Sequence, residues 1–302
     1  MEVQEYVPEG YKFTFQEYLF NTQTHRLTQA QSNWRSFYLL DEKRKAVLAS
    51  WHLHVNEGVA KSPYKATFGG FDFSEQLTLD SLSHFIGKVS SAVVEPIEVI
   101  LAPENLNPQK FTISRQSLLE CGFDVVRSQV NATISVTDQQ FEEIIHKSER
   151  KKLKKSIREG LTSKKLDFED FHGVYQHLMA CRAERDWGLS MSESQLKNVA
   201  DNLSDHFHLF GVFDKEKLVA SAITIQLSEK ALYVFYGGHI KEYDRLSPAV
   251  LLHGEIYAFC QKKGMKHLDL GTSSMGDDTD LNLLNFKKYI GAETGLKLTL
   301  KR

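Results

Sequence analysis

The sequence predicts an α/β (α+β) protein built as two mixed-sheet domains in tandem. Three observations carry this. At roughly 100–200 residues per domain, 302 residues suit two domains. Runs with strand period alternate with runs of helix period in both halves. The order strand, charged turn, strand, glycine pair, helix also occurs twice, weak in residue identity and clear in pattern.

In the first half, Ser36–Leu40 is a short apolar strand and Asp41–Lys45 a charged turn. Ala46–Val55 alternates, with Val47, Ala49, Trp51, Leu53 and Val55 on one face and Leu48, Ser50, His52 and His54 on the other, which is strand period. Ser62–Phe71 reads as a strand ending in the pair Gly69-Gly70, and Leu77–Val93 as an amphipathic helix. Ile97–Ala102 is a strand closed by Pro103. Ser114–Cys121 is a helix stopped at Gly122, and Val125–Val136 supplies one or two strands.

The second half opens with a basic helix, His146–Arg158; from Lys147 to Arg158 seven residues are positive and one negative. Helices follow at Asp170–Asp186 and Ser192–Leu203, then the hairpin His208–Phe213 with Leu218–Leu227 around the turn Asp214–Lys217. Ala231–Gly238 is a strand ending in a glycine pair, Pro248–Gly264 a helix, Lys266–Gly271 a strand, Leu281–Ile290 a helix stopped by Gly291, and Leu296–Leu300 the last strand. The charge shift places the boundary near residue 137, giving domains 1–136 and 137–302 with the basic linker helix 146–158 in the second.

Composition excludes several classes. With 37 basic against 39 acidic residues, no global nucleic-acid charge is present. No run of 18 apolar residues exists, and the N-terminus shows no basic and apolar leader pattern, so a cytoplasmic protein is expected. Cys121, Cys181 and Cys260 are far apart, which fits reduced thiols and no cysteine metal site. His52 and His54 share a strand face as a metal pair would, but no third ligand is in view, and no metal is expected.

Several places could carry chemistry. Ser247 with Pro248 marks a helix start after a strand and a glycine pair, and such a terminus can hold a phosphate with Arg245 and Ala249 beside it. It is equally readable as an ordinary capped helix. Asp269 sits between two leucines of a short strand, where a carboxylate needs a partner. Lys287 and Lys288 lie near a helix C-terminus, where lysines also serve as dipole partners. His239 follows the second glycine pair and is a candidate general base. The basic helix is a solvated linker, a phosphate platform or a membrane-surface face.

Taken together, Leu268-Asp-Leu-Gly-Thr-Ser273 followed by Asn285-Phe-Lys-Lys-Tyr-Ile-Gly291 resembles the acyltransferase superfamily of GNAT N-acetyltransferases and FemAB peptidoglycan-bridge transferases. Leu246–Leu252 with Glu255-Ile-Tyr257, Lys151–Gly160 and Tyr64–Gly70 are similar to other parts of the same pattern. The resemblance implies two GNAT-like domains of the acyl-CoA N-acyltransferase fold, the first degenerate for the donor. It implies acyl transfer to an amine, with acyl-CoA (acetyl-CoA) as co-substrate, no permanently bound cofactor, and a cell-envelope precursor, amino sugar or small amine as acceptor. Aminoacyl-tRNA is the alternative donor, and a non-catalytic binding protein the third reading. It implies catalytic roles for Lys287, Asp269 and His239, and donor contacts at Arg245, Ser247, Pro248 and Ala249. Tyr64, Phe68, Gly69, Tyr236, Arg150 and Lys151 are the implied substrate-binding residues. Two features depart from the pattern: Arg245–Val250 lacks the glycines of the usual phosphate loop, and Phe286 stands where many relatives carry a tyrosine.

Overall fold

A computed structural model describes residues 1–275 and 278–302. The chain forms two compact units, residues 1–131 with 295–302, and residues 132–294. The last strand, Glu293–Lys301, thus ends in the first unit, where Thr299, Leu300 and Lys301 pair antiparallel with Ile100, Val99 and Glu98. Leu298 and Leu300 enter that unit's core.

In the first unit, Trp34–Asp41 and Ala46–Asn56 form an antiparallel pair, and Lys45 at their turn adopts φ 48°. Glu2–Gln4 extends the pair on one side. On the other, Val59–Ser62 follows and pairs parallel with Ile97–Ile100. Trp51, Leu53, Phe85 and Val99 are wholly buried in a core closed by the helices Leu79–Ala92 and Pro108–Glu120. The second helix starts six residues earlier than the sequence reading, because Asn107 caps it, accepting from the Lys110 N–H, and Pro108 takes the first position. Asp124–Ser135 is one strand rather than two.

The strand Ala46–Asn56 is buried on both faces, since Ser50 and His52 bond to Glu17 from a segment that covers the second face. One expectation fails here: Ser62–Phe71 is not a strand. Pairing stops at Ser62, Pro63 has no N–H to offer, Lys65 turns to φ 51°, and strand resumes only at Phe71–Phe73. The loop closes on itself: the Gly70 N–H donates to Ser62 Oγ at 3.0 Å and the Gly69 N–H to the Ile100 carbonyl at 2.8 Å.

In the second unit the strand order is Leu161–Leu166, Phe207–Asp214, Lys217–Ser228, Ala231–His239, His267–Thr272. The first four run antiparallel and the last pair is parallel. The hairpin turn again places a lysine, Lys215, at φ 56°. Unlike its first-unit counterpart, the glycine pair Gly237-Gly238 lies inside a continuous strand. Helix Pro248–Lys262 packs on all five of these strands, burying Leu252, Ile256, Tyr257 and Cys260. Helices Lys147–Arg158, Phe171–Ala183, Glu193–Asn202 and Leu281–Tyr289 complete the unit. No helix among the described residues is long and apolar enough to cross a membrane.

Two glycines test this packing in opposite directions. A Cβ on Gly69 would stand 2.7 Å from the Pro63 nitrogen and 2.8 Å from the Ser62 carbonyl carbon, whereas Gly87, inside a helix, meets nothing within 4 Å. Gly69→Ala is expected to cost about 1–3 kcal/mol and Gly87→Ala to add about 1 kcal/mol, both measured by urea unfolding.

Candidate functional site

The site of the second unit exists because two parallel strands part. Ala231, Leu232 and Tyr233 pair with His267, Leu268 and Asp269, and the pairing ends there. On its other side the same strand slips register: Tyr236 faces Ile223 and Val234 faces Thr224, so Phe235 is the extra residue of a bulge. A bulged residue drops out of the ladder and its backbone groups turn aside. Between the parting strands lies a cavity of about 380 Å³, walled by Tyr233, Phe235, His239, Leu252, His253, Gly271, Phe286 and Lys287, with Arg182, Arg185 and Trp187 at one end.

Lys287 and Asp269 meet at one turn, around Gly271. Asp269 Oδ1 accepts from the Gly271 N–H at 2.9 Å, tightening the strand end into a turn. Gly271 sits at φ 71°, and a Cβ there would press to 3.1 Å from the Tyr233 ring, so the position requires glycine twice over. The turn aims two carbonyls at the final helix, and Lys287 Nζ donates to those of Gly271 and Thr272 at 2.9 Å each. Burial pushes the Lys287 ammonium down to about 8, against the pull of Asp269 and Asp280. An ammonium has three donors, so one remains for the cavity.

His239 closes the strand at the far wall. Its Nε2 donates to Asp244 Oδ1 at 2.7 Å, and its carbonyl accepts from Arg185 Nη1 at 3.0 Å. Burial holds the imidazole below its ordinary value, although Asp244 pulls it up. A neutral ring that donates from Nε2 keeps its lone pair on Nδ1.

The Arg245–Ala249 turn differs from the expected phosphate cradle. Ser247 precedes the helix at φ 51° and does not cap it with its side chain. The Ser247 N–H donates to the Asp244 carbonyl at 3.1 Å and the Val250 N–H to the Ser247 carbonyl at 3.0 Å, while Pro248 has none. The carbonyls of Arg245 and Leu246 accept from Lys155 Nζ and Ser156 Oγ of the basic helix. Arg245 is exposed, Pro248 is buried, and of these four residues Ala249 lines the cavity.

The remaining candidates are scattered. Tyr236 lies behind its strand, its hydroxyl bonded to Ser190 Oγ at 2.6 Å and to the Met191 N–H at 3.1 Å. Arg150 donates to the carbonyls of Glu142, Glu143 and Ile145, and Lys151 is exposed. Tyr64, Phe68 and Gly69 belong to the first unit, where Tyr64 stacks on His54 at 3.8 Å and Phe68 is buried against Tyr18 and Phe20. His52 bonds to Ser36 and Glu17, so the two histidines of the strand face are each otherwise engaged. No cluster of three His, Cys, Asp or Glu among the described residues is placed for a metal ion.

Four wall residues escaped the sequence reading. Arg182 and Arg185 stand three apart at a helix end, a position where basic residues are ordinarily dipole partners, and Trp187 follows with the Arg182 guanidinium over its ring. His253 had a usable signal, being a lone imidazole in an apolar helix. Its Nδ1 donates to the Ala249 carbonyl at 2.7 Å and burial takes it down to about 4.

With this geometry in hand, comparison with known proteins is direct. Residues 147–288 match the family model of an acetyltransferase (GNAT) domain. The structure of FemX superposes with a TM-score of 0.70 at 13% identity, covering 94% of this chain and 91% of that one. L-PGS from Bacillus licheniformis gives 0.55 at 11% identity, covering 89% and 84%. The C-terminal domain of an Agrobacterium fabrum protein assigned as a lysylphosphatidylglycerol synthetase gives 0.57 at 12%, covering 93% and 87%. No curated protein sequence matches. At these identities the structural likenesses are likenesses of fold. Residues 147–288 thus carry a GNAT-type acetyltransferase domain, and the class this domain defines is an acyltransferase. Over nearly the whole chain the fold is that of the solved FemX structure.

The buried lysine makes a pH prediction. Its folded value of about 8 lies below the ordinary 10.5, so between these values the unfolded chain holds a proton that the folded one has lost. Stability therefore rises with pH across that window. Relative to Lys287→Met, wild type is expected to gain urea resistance between pH 8 and 10.5; a constant difference would show that the ammonium is not desolvated.

Proposed function

We propose that the chain transfers an acyl group to an amine within the cavity of the second unit. The observation that supports this best is the convergence of the Phe235 bulge, the third donor of Lys287 and the Asp244-oriented His239 on one space. An acyl carbonyl seated at the bulge has its oxygen within reach of backbone N–H and ammonium, the arrangement that stabilises a developing oxyanion. His239 Nδ1 takes the proton of the attacking amine and returns it to the departing sulfur or oxygen of the donor as the bond from the acyl carbon to that atom breaks. The apolar wall of Leu252, Leu270 and Phe286 excludes water, which would otherwise take the acyl group.

For the donor, acyl-CoA follows from the sequence resemblance, and the acceptor is then an amine of a cell-envelope precursor, an amino sugar or a small molecule. The turn at 245–249 favours the second reading, an aminoacyl-tRNA donor. Three of the four backbone nitrogens from Ser247 to Val250 are engaged or lack hydrogen, which leaves a pyrophosphate little to hold. The exposed lysines of the basic helix, Lys147, Lys151 and Lys154, offer a polyphosphate backbone a positive face.

Melting curves with acetyl-CoA and with aminoacyl-tRNA at 50 and 200 mM salt separate the two. A ligand at a hundred times its Kd adds about 2.7 kcal/mol. Stabilisation by aminoacyl-tRNA that falls steeply with salt supports the second reading, and salt-tolerant saturation by acetyl-CoA supports the first. With the active donor, Lys287→Gln is expected to lower kcat/KM by about 10²–10³. Unchanged kinetics in that variant would overturn the assigned role.

A further inference from the structure

The first unit buries a chain of polar groups that has no part in the transfer chemistry above. Ser36 and His52 are direct partners across the antiparallel ladder, so the register fixes their side chains together. Ser36 Oγ lies 2.9 Å from His52 Nδ1, and His52 Nε2 lies 2.9 Å from Glu17 Oε1. Ser50 Oγ donates to the same carboxylate oxygen at 2.7 Å. Arg26 Nη1 donates to Ser36 Oγ at 3.1 Å, its Nε held by the Asn21 carbonyl at 3.0 Å.

The directions of these bonds follow from chemistry. Glu17 accepts only, so His52 carries its hydrogen on Nε2. Burial holds the ring below its ordinary value and hence neutral, while the bonds from His52 and Ser50 hold Glu17 ionised against its own burial. The lone pair is thus on Nδ1, and the Ser36 hydroxyl donates into it. The order Ser36, His52, Glu17 is a hydroxyl on a base that a carboxylate orients, the constellation by which serines become nucleophiles. Arg26 adds a fixed positive charge at the hydroxyl oxygen.

Ser36 is not sealed in. With Glu17, Arg26, Trp34 and Tyr38 it lines an open cavity of about 660 Å³, whose rim carries the exposed rings of Tyr6 and Phe13. We propose that Ser36 is an activated nucleophile and that the first unit carries a second activity, cleavage of carboxylic esters with an apolar portion. Ser36 Oγ bonds to the ester carbonyl carbon while its proton passes to His52 Nδ1. The Arg26 guanidinium faces the oxyanion. The ester C–O bond breaks and the alcohol leaves with the proton from His52. Water then attacks the acyl-serine, His52 takes its proton, and Ser36 recovers it as the acid departs. Glu17 is a positioning residue throughout.

The test uses the full chain and a fluorophosphonate probe, which labels activated serines. Intact mass and peptide mapping are expected to show one adduct, on Ser36, and p-nitrophenyl acetate hydrolysis that disappears in Ser36→Ala. Absence of label on Ser36 in folded wild type overturns the proposal without recourse to any variant. His52→Gln, checked for an unchanged melting temperature, is expected to slow labelling at least tenfold. Glu17→Gln is expected to slow it too and Glu17→Asp to restore part of the rate, a rescue that a merely structural carboxylate would not give. Labelling of folded His52→Gln at the wild-type rate would overturn the relay.

Discussion

A parallel pair of strands held for only three residues governs the second unit. Had the ladder between Ala231–His239 and His267–Thr272 continued, each strand would have satisfied the other's backbone and no space would lie between them. The end of the ladder leaves backbone groups needing partners, and the chain supplies them from nearby. Asp269 turns back to the Gly271 N–H, and Lys287 reaches from the final helix to the next two carbonyls. The site is therefore the consequence of an interrupted sheet whose loose ends are tied by charged side chains.

That solution sets the properties of the lysine. An ammonium in a dry wall costs several kcal/mol unless it is bonded, and two neutral carbonyls only partly replace water. The group consequently titrates near neutrality, where a side chain can both donate to an oxyanion and give up a proton. Arginine could not replace it, because a planar guanidinium stays charged and cannot place two donors on adjacent carbonyls while keeping one at right angles for a substrate. Geometry and acidity thus arise from the same contact, and the glycine that supplies one of the two carbonyls sits at φ 71° with the Tyr233 ring packed where a Cβ would stand.

Much of this was legible in the sequence, for local reasons. Asp269 and Lys287 lie on one short strand and one short helix, and a carboxylate between leucines already implies a buried partner. The period-2 runs and capped helices were equally local. What stayed hidden depended on partners distant in the chain. Nothing near Ala46–Asn56 announces that Glu17 covers its polar face and takes the hydrogen bond of His52. Ser62–Phe71 has strand composition, and only the left-handed Lys65 and the closure of Gly70 onto Ser62 make it a loop. Arg182 and Arg185 carried no signal beyond their place at a helix end.

The basic helix shows how composition can mislead about which charges are free. Seven cations on twelve residues read as a solvated linker, a phosphate platform or a membrane-surface face, yet the helix is anchored by some of them. Arg150 ties down the three carbonyls that precede it, and Lys155 holds the Arg245 carbonyl with Ser156 beside it. The Lys155 and Ser156 bonds fix the turn that starts helix Pro248–Lys262, and that helix brings Ala249, Leu252 and His253 to the cavity wall. These contacts thus support the cavity from behind, while Lys147, Lys151 and Lys154 stay exposed on the same helix.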